Sequence, residues 1–184
     1  MFLRQKACMS LLIVFCISVG SGIFSAPHAR ALEFSTTLAD TGTSVSTNAT
    51  IRFTTRQAIA GSAIILVQFD PAFTLLNTFD YTDVDMVVDG VERPLAATPG
   101  LVVSGIIRAT STVTGVTIQL GSSANIQSGK VVELRLGGHA VYEAIGQRQL
   151  QTPATAGKYA INIILDGAVN NTEDKQGMVE ILQN

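Results

Sequence analysis

Residues 159–166 read Tyr-Ala-Ile-Asn-Ile-Ile-Leu-Asp, so Tyr159, Ile161, Ile163 and Leu165 alternate with Ala160, Asn162, Ile164 and Asp166. A two-residue period sends alternate side chains to opposite faces of a strand, which puts those four large residues on one side. The pattern recurs along the chain, and a helical period is almost nowhere seen. Strands are predicted at 49–55, 64–69, 83–88, 91–96, 101–109, 113–120, 130–136, 159–165 and 178–182. Turn residues separate them: 60–62, Asp89-Gly90, Ser128-Gly129, Pro153 through Gly157, and a polar stretch at 170–177. Asp70-Pro71 ends the strand at 64–69, because Pro71 cannot donate to a ladder. Pro94 places 91–96 at a sheet edge for the same reason.

Eight or nine strands with short turns imply an all-β chain of two packed antiparallel sheets, an immunoglobulin-like sandwich. A closed barrel is the alternative. The run 64–69 is apolar at nearly every position, which predicts a central strand covered on both faces. The stretch 137–157 has no clear period and reads either as a functional loop or as a long crossing between sheets.

The first residues stand apart. Arg4 and Lys6 precede an apolar run from Ala7 to Phe24, and Ala29-Arg30-Ala31 offers a cleavage site. That order is read as a secretory signal peptide at 1–31 followed by a single domain at 32–184. A retained membrane anchor is the alternative, weakened by serines and glycines within the run. Removing the first 31 of 184 residues leaves 153, enough for one core that buries about two-thirds of the unfolded surface. Cys8 and Cys16 both leave with the signal, so the domain is expected to hold without disulfides. Basic residues fall from 12 to 9 against 14 acidic ones, and the net charge moves from −2 to −5. A mildly acidic, exported domain gives no electrostatic case for nucleic acid, nor for a membrane once the signal is gone.

Little of the remaining chemistry points to catalysis. His139 is the only histidine after residue 31, beside Gly137-Gly138, and reads as an exposed loop residue. No nucleophile elbow, zinc-binding helix motif or phosphate-binding glycine loop occurs. The sharpest acidic cluster is Asp80, Asp83, Asp85 and Asp89. Calcium needs several oxygen ligands, but the spacing lacks the glycine and closing glutamate of an EF-hand. Asp83 and Asp85 fit equally as the solvent-facing positions of the strand whose other face is Val84, Met86 and Val88. No cofactor is therefore expected, with calcium at these four aspartates the alternative. Tyr81, Tyr142 and Tyr159 offer either a sugar-stacking platform or core and interface residues. Asn48-Ala49-Thr50 and Asn170-Asn171-Thr172 match the glycosylation sequon and are read as coincidence.

Four phrases carry a resemblance. They are "DTGTSVSTNATIRFTTRQAIAGSAIILVQFDPAFTLL" at 40–76, "VDMVVDGVERPLAAT" from 84, "VTGVTIQLGSSANIQSGKVVELRLGG" from 113 and "TPATAGKYAINI" from 152. In that order they resemble the immunoglobulin-like β-sandwich modules of bacterial surface and secreted proteins, from about residue 37 to the end. Asp70 before Pro71 and Thr152 in place of asparagine depart from that pattern, and "HAVYEAIGQRQL" from 139 has no counterpart in it. The resemblance implies a non-enzymatic, secreted or cell-surface protein with a structural, adhesive or assembly role. Its expected partners are a protein or glycan at the cell surface, or further copies of itself. A carbohydrate-binding module is the alternative. The resemblance supplies no catalytic residue and names no ligand-binding one.

Overall fold

The computed structural model describes residues 34–75, 79–108, 115–142, 144–168 and 173–183. The expected signal peptide and the second sequon fall outside them. Regular structure in the described chain is all strand apart from one short 3-10 turn at Tyr81–Asp83.

The strands are β1 (Phe34–Leu38), β2 (Ser46–Thr47), β3 (Ala49–Thr54), β4 (Ile59–Phe69), β5 (Thr74–Leu75), β6 (Val84–Val88) and β7 (Val91–Arg93). They continue with β8 (Leu95–Ala96), β9 (Ser104–Arg108), β10 (Gly115–Gln119), β11 (Val131–Leu136), β12 (Leu150–Gln151), β13 (Gly157–Ala168) and β14 (Glu173–Ile181). One sheet has the order β1-β3-β11-β6-β7 and the other β14-β13-β4-β10-β9-β8; β2, β12 and β5 form a small third sheet. Every pairing between named strands is antiparallel except β8 with β9. Nine strands have five or more residues and the other five have two or three; the set differs from the expected one, since β1 lies before the first expected strand and the expected 91–96 is divided into β7 and β8.

Register explains why the sheets have one buried face each. In the first, Ile51 pairs with Leu134 and Leu134 with Met86, so their side chains share the inward side. In the second, Ile163 pairs with Val67 and Val67 with Val116, and Leu165, Ile65 and Ile118 form the next row. These residues and their neighbours make a single buried cluster. Burying each large side chain contributes roughly 1.5–3 kcal/mol. The alternation at Ile161, Ile163 and Leu165 is fully buried, and Tyr159 packs at its margin, its ring edge-on to Phe73 at 5.9 Å.

Several expectations change. The glycine at 60–62 does not turn the chain. It lies inside β4, where a Cβ on Gly61 would stand 2.0 Å from the Ser122 carbonyl oxygen. Ser62 takes a positive φ of 65° there, a local irregularity rather than a reversal. The run 64–69 is covered on one face only: Ile65, Val67 and Phe69 are buried, while Ile64, Leu66 and Gln68 are half-buried on the outer side. The last strand begins at Glu173, five residues before the expected 178, because its polar residues sit on an edge strand that tolerates them. Residues 101–103 precede β9 as a loop instead of opening the strand.

Two turns follow local chemistry directly. Asp89 and Gly90 both adopt positive φ, 50° and 79°, the geometry that joins β6 to β7 with the twist of the flanking strands. Pro94 interrupts the return strand and divides it between sheets, with β7 on one and β8 on the other.

Two substitutions check the core assignment. Ile161→Asp, at a position with no exposed surface, is expected to abolish cooperative folding, since no partner for the charge lies in that apolar layer. Leu134→Ala is expected to cost about 2–5 kcal/mol in a denaturant melt. A soluble Ile161→Asp protein with an unchanged melting temperature would place the core on the other face.

Candidate functional site

The residues 137–149, between β11 and β12, fold back onto the start of β6. Their backbone N–H groups are aimed at side-chain oxygens, chiefly carboxylates. Asp83 ends the short 3-10 turn and has no exposed surface. Its Oδ1 accepts from the backbone nitrogens of Gln147 at 2.8 Å and Arg148 at 3.0 Å. Its Oδ2 accepts from the Asp80 nitrogen at 3.0 Å and from Arg148 Nη1 at 2.7 Å. The Asp83 carbonyl takes the Gly137 N–H at 2.8 Å.

Asp85, one strand residue along on the outer face, is 3% exposed. Its carboxylate accepts from Val141 N at 2.7 Å and from Tyr142 N, shared between both oxygens at 3.2 Å. Asn48 Oδ1 completes the anchorage, accepting from Gly138 N at 2.7 Å and Gln149 Nε2 at 3.0 Å. Within the loop, Ala140 N donates to the Gly137 carbonyl and Gly146 N to that of Ala140. Gly146 approaches so closely that a Cβ would lie 2.2 Å from the Gly137 carbonyl oxygen, and Gly137 itself holds a φ of +85°.

Asp85 lies on the outer side of β6 as expected, whereas Asp83 ends the 3-10 turn instead of opening the strand; the loop covers both, and the expectation of solvent exposure is overturned. A buried carboxylate costs several kcal/mol in desolvation unless it is fully hydrogen-bonded, and the backbone N–H groups of the loop meet that requirement. The same bonds satisfy loop amides that would otherwise lack partners. Burial pushes the Asp83 carboxyl up; the hydrogen bonds from Asp80, Arg148 and Gln147 outweigh it and hold the group below the ordinary 3.8. Asp80 is lowered in the same way: desolvation raises it, while Thr82 and Arg148 more than compensate. Arg148 is raised, first by its bond to Asp83 and then by that to Asp80.

What the loop exposes is apolar. Val141 is 57%, Tyr142 49% and Ile145 67% exposed, while Ala140 between the anchors is fully buried. Of the three tyrosines, Tyr81 and Tyr159 pack against the core and Tyr142 alone presents its ring to solvent. His139 is exposed on the same loop, as expected.

The four aspartates do not converge. Asp80 and Asp83 share Arg148, Asp85 binds loop amides, and Asp89 sits past the far end of β6. There Asp89 pairs with Lys130 at 2.7 Å, and that hydrogen bond holds its carboxyl below the ordinary value. Among the described residues no group of three or more acids, histidines or cysteines is placed to hold a metal. The donor set does not fit calcium: the oxygens near Asp83 already face cationic or N–H donors. Asn48, Arg148, Gly137 and Gly146 were not singled out as site residues from the sequence. The nearest signal was the lack of any family counterpart for the stretch from 139.

Among the described residues no helix is long and apolar enough to cross a membrane. No family model matches the chain, and no curated relative does. Solved structures overlap it at low identity. BslA, a bacterial hydrophobin, has a TM-score of 0.48 at 11% identity, over 84% of this chain and 95% of its own. ACE19, the collagen-binding subdomain of the Enterococcus faecalis surface protein ACE, has a TM-score of 0.38 at 8% identity, over 80% and 94%. AvmM, which catalyses macrocyclization in alchivemycin A biosynthesis, has a TM-score of 0.35 at 10% identity, over 82% and 89%. Likenesses this distant say nothing of activity.

The anchorage predicts a pH signature. A carboxyl lowered in the folded state stabilises above its unfolded pKa, and that contribution is lost as pH falls through 3.8 toward the folded value. Asp83→Asn is expected to cost roughly 1.5–3 kcal/mol at neutral pH, by losing bonds to a charged acceptor. The gap between wild type and variant should close as thermal melts are taken to more acid pH. A gap that stays constant would mean Asp83 contributes no charge-dependent stability. Calcium and chelator are expected to leave the wild-type melting temperature unchanged, since binding would have to displace Arg148; a rise with calcium would reverse that assignment.

Proposed function

We propose that this chain is a non-enzymatic, secreted or cell-surface β-sandwich with a structural, adhesive or assembly role. Its contact surface is the loop at 137–148. The reading takes it as a module of the kind found in bacterial surface proteins. One observation carries it: Val141, Tyr142 and Ile145 stand exposed on a backbone fixed by two buried carboxylates. A loop serving only to connect two strands would be expected to carry polar turn residues at its tip. Here Val141, Tyr142 and Ile145 are apolar and the backbone N–H groups of 141, 142 and 146–148 are hydrogen-bonded, so contact with a partner at these residues loses little conformational entropy. Exposed apolar residues gathered in one place mark interaction surfaces more often than chance.

Catalysis is left out because the acids at the site serve as acceptors for backbone and guanidinium donors, with no substrate-facing pair among them. The exposed ring of Tyr142 favours a second reading, a carbohydrate-binding module in which that ring stacks on a sugar.

The test compares wild type with a Val141→Ser/Tyr142→Ser/Ile145→Ser variant in binding to cell-surface fractions and to a glycan array. Wild type is expected to bind a surface fraction, and the variant to lose about tenfold or more while melting normally. Equal binding by both would put the contact surface elsewhere. Glycan binding lost with Tyr142→Ser alone would favour the second reading.

A further inference from the structure

The two outer faces of the sandwich differ. The loop at 137–149 lies against the outer face of the sheet holding β6, at Asp85. The other sheet exposes Asp166, Gln176, Met178 and Leu182 on its outer face, Met178 by 57% and Leu182 by 56%. Register lays that face out in rows. Ile64 stands beside Gln119 and Asp166, and Leu66 beside Thr117 and Ile164. Gln68, Asn162 and Gln176 make the next row, followed by Ala160 with Met178 and then Lys158 with Glu180. An aliphatic stretch thus adjoins a row of three amides. Asn162 Oδ1 is shielded from solvent, yet it accepts no hydrogen bond from the described residues. A shielded acceptor without a donor destabilises the free chain, and a donor from outside would relieve it.

The outward residues of β13, in order, are Lys158, Ala160, Asn162, Ile164 and Asp166. This series complements its own reverse. The cation answers the carboxylate, the small residue answers the large one, and the amide answers itself. A two-fold axis across the strands at Asn162 lays β13 antiparallel over β13 of a second copy. Lys158 then meets Asp166 of the second copy and Ala160 meets Ile164. The two Asn162 amides meet each other, each able to donate and to accept.

The other acids of the face lie off this line. Register puts Asp174 and Glu180 on β14, the edge strand, and Asp70 follows the end of β4. The Asp70 carboxylate is drawn into its own turn by the Ala72 N–H at 2.9 Å. Packed sheets cross at about 30°, so correspondence is closest along the axis strand and the margins stay in water. Lys158 would sit between Glu180 of its own chain and Asp166 of the second. Arg148 sits likewise between Asp80 and Asp83, and Arg135 between Glu92 and Glu133. Area is sufficient as well. From Lys158 to Asp166 the face runs about 26 Å, and β14, β13, β4 and β10 together are about 19 Å wide, roughly 500 Å² per copy. The pair would bury about 1,000 Å², the low end of what a specific contact needs.

We propose that a second copy of this chain docks on the outer face of the β13 sheet, forming a two-fold dimer in which β13 crosses β13. This surface is separate from the loop at 137–148 and does not depend on it. A two-fold contact uses the same face on both members, so it closes at two copies and leaves both loops free.

The experiment is sedimentation velocity over a concentration series, on the purified protein and its charge variants, with thermal melts to confirm folding. Wild type is expected to pass from monomer to dimer and no further. Lys158→Asp sets carboxylates against each other twice per dimer and should weaken association about tenfold, as should Asp166→Lys by opposing two cations. The double variant Lys158→Asp/Asp166→Lys exchanges the partners and should restore most of the loss. Wild type still monomeric at about 1 mM overturns the proposal. So does a double variant no better than either single one, or assembly beyond the dimer. The Val141→Ser/Tyr142→Ser/Ile145→Ser variant should dimerise like wild type even where it loses binding to surface fractions, so the two surfaces fail separately. If that variant is monomeric instead, the self-contact belongs to the loop and the sheet face is refuted.

Discussion

Asp83 has no exposed surface, yet it is held as a carboxylate by donors on two separate stretches: the Asp80 backbone, and Gln147–Arg148, which gives two backbone N–H groups and the Arg148 side chain. A buried charge in an apolar layer would break the fold. Here it lies at the sheet margin, where a long irregular segment has backbone amides that need acceptors. The two requirements cancel, and a stretch without strand or helix is tied to the sheet at 138, 141–142 and 147–148. Asp85 repeats the arrangement one alternation further along. The apolar display at Val141, Tyr142 and Ile145 exists because those carboxylates fix the chain that carries it.

The sheets themselves depend on a different and simpler constraint. Period-two aliphatics on β3, β6 and β11 face those on β4, β10 and β13, and register keeps them in rows. Without disulfides among the described residues, this layer is what the domain has for stability. It is spread over long central strands, β4 and β13 above all, so that each edge can afford irregularity: Pro94 at one side and the polar start of β14 at another.

Alternation is a property of neighbours in sequence, which is why the sandwich was legible before any coordinates. Ile161, Ile163 and Leu165, the Asp89-Gly90 turn and the edge role of Pro94 all came from local rules. The loop was not legible, because its determinants lie far apart in sequence. Asp83 and Gln147 are 64 residues apart, and Asn48 and Gly138 are 90. Asp85 reads as solvent-facing in any scheme that sees only its own strand, since the cover is supplied by residues past 140. Gly61 misled for a related reason. Glycine usually marks a turn, but here it makes room for the backbone at Ser122 on a distant segment.

The near contact between Gly146 and Gly137 separates two kinds of position in the loop. At 137 and 146 nothing larger than hydrogen fits, and at 83 and 85 an acceptor is required. At 141, 142 and 145 about half or more of the residue is exposed, while the hydrogen bonds that hold the neighbouring backbone do not depend on the side chain's identity. Specificity of contact can thus drift or be exchanged without touching the parts that keep the segment in place, much as a tool head is swapped on a fixed handle.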